Sequence, residues 1–217
     1  LQQLNFYHDY IRTGSRRCFR QKSVASTIGA GERPAAENFV YTNLKDKQTN
    51  MNNINNTIAR LEHAQICWVI PNIHATVNFL SNALGIAFPT PTHVRAQDLN
   101  MTHYGKVVAG EWLTTQAYNG TFIELVQPVS GQNMFQDYLD KYPEGGIQHN
   151  AFRLPVDGFD LVTNNLREQG YAVISEVDHP IARMAFFDTY KTLGVVTEIM
   201  GITPEGWKTI EQMQDVR

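Results

Sequence analysis

An apolar strand carrying a carboxylate at its centre occurs twice in this chain. The two stretches are Gly120-Thr-Phe-Ile-Glu-Leu-Val126 and Gly194-Val-Val-Thr-Glu-Ile-Met200. Both read as β-strands, being rich in β-branched and apolar residues and opened by a glycine. A carboxylate held in such surroundings without a partner costs several kcal/mol, so Glu124 and Glu198 each require a cation or a proton. A metal ion between the two strands meets that requirement. A structural pairing with Arg153 or Arg183 is the alternative.

The duplication extends beyond these strands. The first copy opens with Gln65-Ile-Cys-Trp-Val-Ile-Pro71 and the second with His149-Asn-Ala-Phe-Arg-Leu-Pro155. Helical spacing follows in each, through Ile73, Val77, Leu80 and Leu84 and through Phe159, Val162 and Leu166, ending near Gly85 and Gly170. Strands then run over 112–118 and 121–126, and over 171–177, 182–187 and 195–200. A short helix over 135–141 and a turn at Tyr142-Pro-Glu-Gly-Gly146 join the copies. The reading is an α+β fold of paired βαβββ modules forming one curved mixed sheet. Residues at i and i+2 share a strand face, so the polar residues of the first and last strands can converge in the concavity.

With 217 residues the chain predicts one domain, over 61–203, followed by a short C-terminal helix over 204–217. Net charge is −3 with no basic run, which argues against nucleic acid as a partner. No apolar run reaches the length of a membrane span. The two cysteines, Cys18 and Cys67, form no motif, and Cys67 reads as a buried free thiol, in keeping with a cytoplasmic setting. Residues 1–60 lack sustained apolar periodicity and read as a largely disordered arm or extension, with a short helix near Leu1 to Arg12. The polar run Lys47 to Asn56 fits that description, and the Arg- and Ser-containing stretch from Arg12 to Ser26 leaves an organellar transit peptide as a lesser alternative.

The paired modules resemble the vicinal oxygen chelate superfamily over about 63–201. Gln65, Glu124, His149 and Glu198 fall on its four metal positions, and that set is similar to the ligands of glyoxalase I. The segments Ile123-Glu-Leu-Val-Gln-Pro128 and Gly145-Gly-Ile-Gln-His-Asn-Ala-Phe152 look more like methylmalonyl-CoA epimerase, with Gln148 in place of the first histidine of a pair. Val69 and Pro128 stand where glyoxalase I resemblance would imply Arg and Asn for glutathione, so glutathione dependence is not implied. The resemblance implies one divalent ion (Ni, Co, Mn or Zn), a homodimer, and a small 2-oxo, hemithioacetal-like or acyl-CoA-like substrate. A metal chelating two substrate oxygens stabilises an enolate, with Glu198 as the base. The expected reaction is therefore that of a lyase, isomerase or epimerase.

Pocket walls are expected from Trp68, Phe79, Trp112, Phe122, Phe187 and Met200, with Asn150 as a polar pocket residue. His103, in a loop over Thr102-His-Tyr-Gly105, is a further acid, base or substrate contact. The rival readings are a metal-independent protein that sequesters a small molecule in the same cleft and, more remotely, an Fe(II) dioxygenase. Gln65 breaks the two-His, one-carboxylate triad of the latter.

Overall fold

The computed structural model describes residues 48–49, 51–58, 60–119 and 121–214. Expectations for residues 1–47, including the early helix and the transit peptide, lie outside the described residues. Residues 48–49 and 51–58 are helical (α1), where the polar composition predicted disorder. Ile54 and Thr57, three apart, are its half-buried positions. Thr57 lies against Gly158, where an added Cβ would approach its Cγ2 to 2.7 Å. Arg60 bridges to Asp157 at 3.3 Å just beyond. Contact with the domain thus supplies the burial that the asparagine-rich run lacks by itself.

Each module is built alike. Strand β1 (Glu62–Val69) leads into helix α2 (Ile73–Leu84), then β2 (Thr92–Arg95), β5 (Glu111–Tyr118) and β6 (Phe122–Ser130). Strand β7 (Gly146–Pro155) leads into α4 (Phe159–Glu168), β8 (Val173–His179), β9 (Ala182–Phe187) and β10 (Val196–Ile202). Two short strands, β3 (Thr102–His103) and β4 (Lys106–Val107), lie between β2 and β5 in the chain, and the order across the ten-stranded sheet is β2-β5-β6-β1-β7-β10-β9-β8-β3-β4. Each module's first strand pairs parallel with its last, and β1 meets β7 antiparallel at the centre. Asn72 caps α2 through its side chain, and Gly85 closes it in the left-handed region at φ 70°.

The sheet curls into a half-barrel. One face carries α2, which packs Ile73 on Ile123 and Leu125, and α4, which packs Phe159 on Ile199 and Phe187. The other face brings Trp112 of β5 into one cluster with Val177 of β8, though five strands separate β5 from β8 in the sheet. Such a contact is possible only inside a curl. Helix α3 (Met134–Lys141) lays Phe135 and Tyr138 on this inner cluster. Helix α6 (Pro204–Gln214) sets Trp207 and Ile210 against Met200 and Ala151 further along. A four-residue helix α5 (Tyr190–Leu193) precedes β10.

The stretch read as a loop around His103 is a hairpin. Strand β3 (Thr102–His103) pairs with β4 (Lys106–Val107) through Tyr104 and Gly105, both at positive φ, the turn geometry favoured in two-residue hairpins. Although it belongs to the first module, β3 pairs with β8 of the second. The link from Arg95 to Thr102 therefore joins opposite ends of the sheet, and seven residues reach at most about 25 Å. Met101, at the end of that link, is buried in the inner cluster.

Leu125 is fully buried under α2. Leu125→Ala is expected to cost about 2–5 kcal/mol, read as a fall in melting temperature of roughly 4–20 °C.

Candidate metal centre

Strand pairing places the polar residues of the inner face in two adjoining rows. Across β5, β6, β1 and β7 the paired positions run Gln116, Glu124, Cys67, His149. In the next row Ala151 of β7 lies between Gln65 of β1 and Glu198 of β10. The small side chain of Ala151 leaves room for the longer ones on either side.

Four side chains from four strands meet there. Gln65 Nε2 lies 2.9 Å from Glu124 Oε2, 3.3 Å from His149 Nε2 and 3.4 Å from Glu198 Oε2. His149 Nε2 lies 3.2 Å from Glu198 Oε2 and 3.6 Å from Glu124 Oε2. The structure thus brings Gln65, Glu124, His149 and Glu198 together. Their side chains are almost wholly withdrawn from solvent, with Glu198 at 2% exposure and His149 at 1%. Neither arginine competes for the carboxylates: Arg153 bridges to Glu62 and Arg183 to Asp160.

A β-bulge sets the histidine. The register between β1 and β7 shifts between Cys67 and Trp68, leaving Gln148 as the extra residue on β7. Gln148 turns to the side of His149 and sets its Oε1 2.5 Å from Nδ1. With the Nδ1 proton donated to that oxygen, the Nε2 lone pair faces the cluster, the arrangement metal-binding histidines adopt.

Lone pairs from Nε2, Glu124 Oε2 and Glu198 Oε2 now face one another, and the Gln65 amide is the donor that reaches all three. Burial pushes the Glu198 carboxyl above its usual range, partly offset by His149. Glu124 is braced from behind, its Oε1 accepting from Thr114 Oγ1 at 3.3 Å and from Gln116 Nε2 at 3.4 Å. An imidazole, two carboxylates and an amide make an oxygen-rich donor set that suits a divalent ion better than a structural zinc site of Cys and His would. Half a turn of the Gln65 amide would present Oε1 in place of Nε2. The residues present therefore fit a divalent ion.

The aromatic candidates divide between the faces. Trp112 packs in the inner cluster, its ring 5.2 Å from that of Phe135. Phe122 shares the face of Glu124, and Met200 that of Glu198. Trp68 and Phe187 lie on the opposite face, beneath α2 and α4. Asn150 alternates away from His149, and Phe79 is a 61% exposed residue of α2. Strand parity excludes Trp68, Phe187 and Asn150 from the inner face, and the helix's outward turn excludes Phe79. His103 also stands apart. Its Nε2 lies 2.8 Å from Asp137 of α3 and its Nδ1 3.2 Å from the Ile174 carbonyl, so it ties α3 to β8.

Sequence reading gave no role to Thr114, Gln116 or Gln148, and Cys67 is the buried free thiol it expected. Parity on β1 already put Cys67 on the face of Gln65. The bulge that turns Gln148 inward has no comparable signal.

Residues 64–186 match the family model described as the Glyoxalase/Bleomycin resistance protein/Dioxygenase superfamily. The chain belongs to that superfamily, whose fold is the vicinal oxygen chelate fold. No curated protein sequence matches it. Among solved structures it is similar to methylmalonyl-CoA epimerase from Mycobacterium tuberculosis, at 17% identity over 66% of this chain and 89% of that one, with a TM-score of 0.49. It is similar also to hypothetical protein BH1468 from Bacillus halodurans C-125, at 18% identity over 65% and 94% of the two chains, TM-score 0.48. A third is Streptomyces coelicolor methylmalonyl-CoA epimerase in complex with 2-nitronate-propionyl-CoA, at 18% identity over 64% and 93%, TM-score 0.48. No helix among the described residues is long and apolar enough to cross a membrane.

Gln148→Ala is expected to weaken divalent-metal affinity by about 10–100-fold, since it frees the histidine ring and its tautomer. Titration calorimetry beside the unaltered protein reads this directly.

Proposed function

We propose that this chain is a metal-dependent enzyme of the lyase, isomerase or epimerase type that moves a proton next to a carbonyl. Its substrate would be a small 2-oxo, hemithioacetal-like or acyl-CoA-like molecule. The observation carrying this reading is the convergence of Gln65, Glu124, His149 and Glu198 in a buried cluster with one shared donor. A divalent ion held by these four supplies Lewis-acid stabilisation of the charge that develops on a substrate oxygen.

The two carboxylates divide the work by how they are held. Glu124 is anchored by Thr114 and Gln116 and remains a fixed ligand. The contacts of Glu198 among the described residues are all within the cluster, to Gln65 and His149. It is the carboxylate free to swing toward a substrate carbon and take the proton. Returning the proton to the opposite face of the same carbon gives epimerisation. Returning it to the neighbouring carbon gives isomerisation. Phe135 and Tyr138 of α3 and Met101, just before β3, keep water from the inner face while the proton is held. A homodimer belongs to the same proposal.

The test is solvent-deuterium incorporation, followed by NMR, into a panel of 2-oxo acids, hemithioacetals and acyl-CoA esters. The metal-loaded full chain is expected to accelerate exchange at the carbon next to the carbonyl, and a chelator to abolish it. Binding without exchange across the panel would refute the enzymatic reading in favour of sequestration.

A further inference from the structure

We propose that Cys67 is a fifth protein donor to the divalent ion, bound as a thiolate, and that it biases the site toward Zn²⁺, Co²⁺ or Ni²⁺ over Mn²⁺. The inference rests on the metal reading above and adds a ligand to it. Cys67 is directly paired with Glu124 on one side and with His149 on the other, at the centre of the inner face. Its Sγ, a Glu124 carboxylate oxygen and a His149 ring nitrogen all lie within 4.8 Å of one another. Donors sharing one ion at about 2.0–2.3 Å stand about 3–4.3 Å apart, so the set closes with side-chain shifts of a few tenths of an ångström.

A cysteine placed for packing alone would face apolar neighbours. This one is fully buried in the inner apolar cluster, yet its directly paired neighbours on the two flanking strands are Glu124 and His149. When the ion binds, the S–H bond breaks, the proton leaves for bulk water, and the electron pair on Sγ is shared with the metal. Nothing is oxidised or reduced. Thiolate is a softer ligand than carboxylate or amide oxygen, and it favours the later first-row ions over Mn²⁺.

The experiment loads the full chain with Co²⁺ and records its near-ultraviolet spectrum beside Cys18→Ser and Cys67→Ser variants. An intense thiolate-to-Co²⁺ charge-transfer band is expected in the unaltered protein and in Cys18→Ser, and none in Cys67→Ser. Zn²⁺ affinity of Cys67→Ser should fall about 10–100-fold while Mn²⁺ affinity changes by less than about threefold. Co²⁺ bound with no such band would overturn the inference and leave the proposed function standing. No Co²⁺ bound at all would overturn both. Should Cys67→Ser fail to fold, the band in Cys18→Ser decides the question, because Cys67 is then the only thiol in the chain.

Discussion

Glu198→Gln is expected to slow proton exchange next to the substrate carbonyl by about 10²–10⁴-fold while the protein keeps its divalent ion. Glutamine retains an oxygen that can ligate but cannot accept the proton, so ligation and base chemistry separate in this one substitution. Space favours the change, because the position opposite on β7 is Ala151. Burial opposes the ionised form of Glu198, so the neutral amide does not add to the desolvation cost. The metal-free variant should therefore be at least as stable as the parent. Metal affinity within about tenfold of the parent with exchange lost is the expected pair of results. Exchange undiminished in Glu198→Gln would remove this residue from the base role, and Glu124 would be the carboxylate to test next.

Gly145→Ala is expected to cost about 2–6 kcal/mol, because left-handed strain and a backbone clash add. Gly145 sits at φ 75°, and a Cβ there would meet the Val69 carbonyl oxygen at 2.5 Å and Ile70 Cα at 3.0 Å. Backbone on both sides means that no side chain can swing aside. The position immediately precedes β7 beside the end of β1, so a shift there is carried along the strand to Gln148 and His149. Thermal unfolding should show the loss of stability. Metal affinity should fall with it, even though Gly145 touches none of the proposed ligands. A melting temperature unchanged from the parent would contradict the tight approach of β7 to the end of β1.

Much of this architecture was legible because the modules repeat. Glu124 and Glu198 could be picked out as apolar-strand carboxylates, and the period-two alternation put each on a defined face. The same alternation, followed strictly, removes Trp68, Phe187 and Asn150 from the inner face, since their neighbours Cys67, Phe186 and His149 occupy it. Where regular alternation fails, the sequence was silent. The bulge at Gln148 turns two consecutive residues the same way, and its cause is the tertiary register between β1 and β7. The hairpin over 102–107 is too short to show periodicity, and it is held by β8, more than sixty residues along the chain. Helix α1 looked unable to order itself because its burial comes from Gly158 and its surroundings.

The central claim is that four converging side chains hold one divalent ion, and elemental mass spectrometry of the purified full chain tests it most directly. The comparison is a Glu124→Ala, Glu198→Ala double variant prepared in parallel. The account predicts about one divalent ion per chain in the unaltered protein and none in the double variant. It would be contradicted by an unaltered protein that holds no ion after reconstitution with Co²⁺, Ni²⁺, Mn²⁺ and Zn²⁺, or by equal metal in the two.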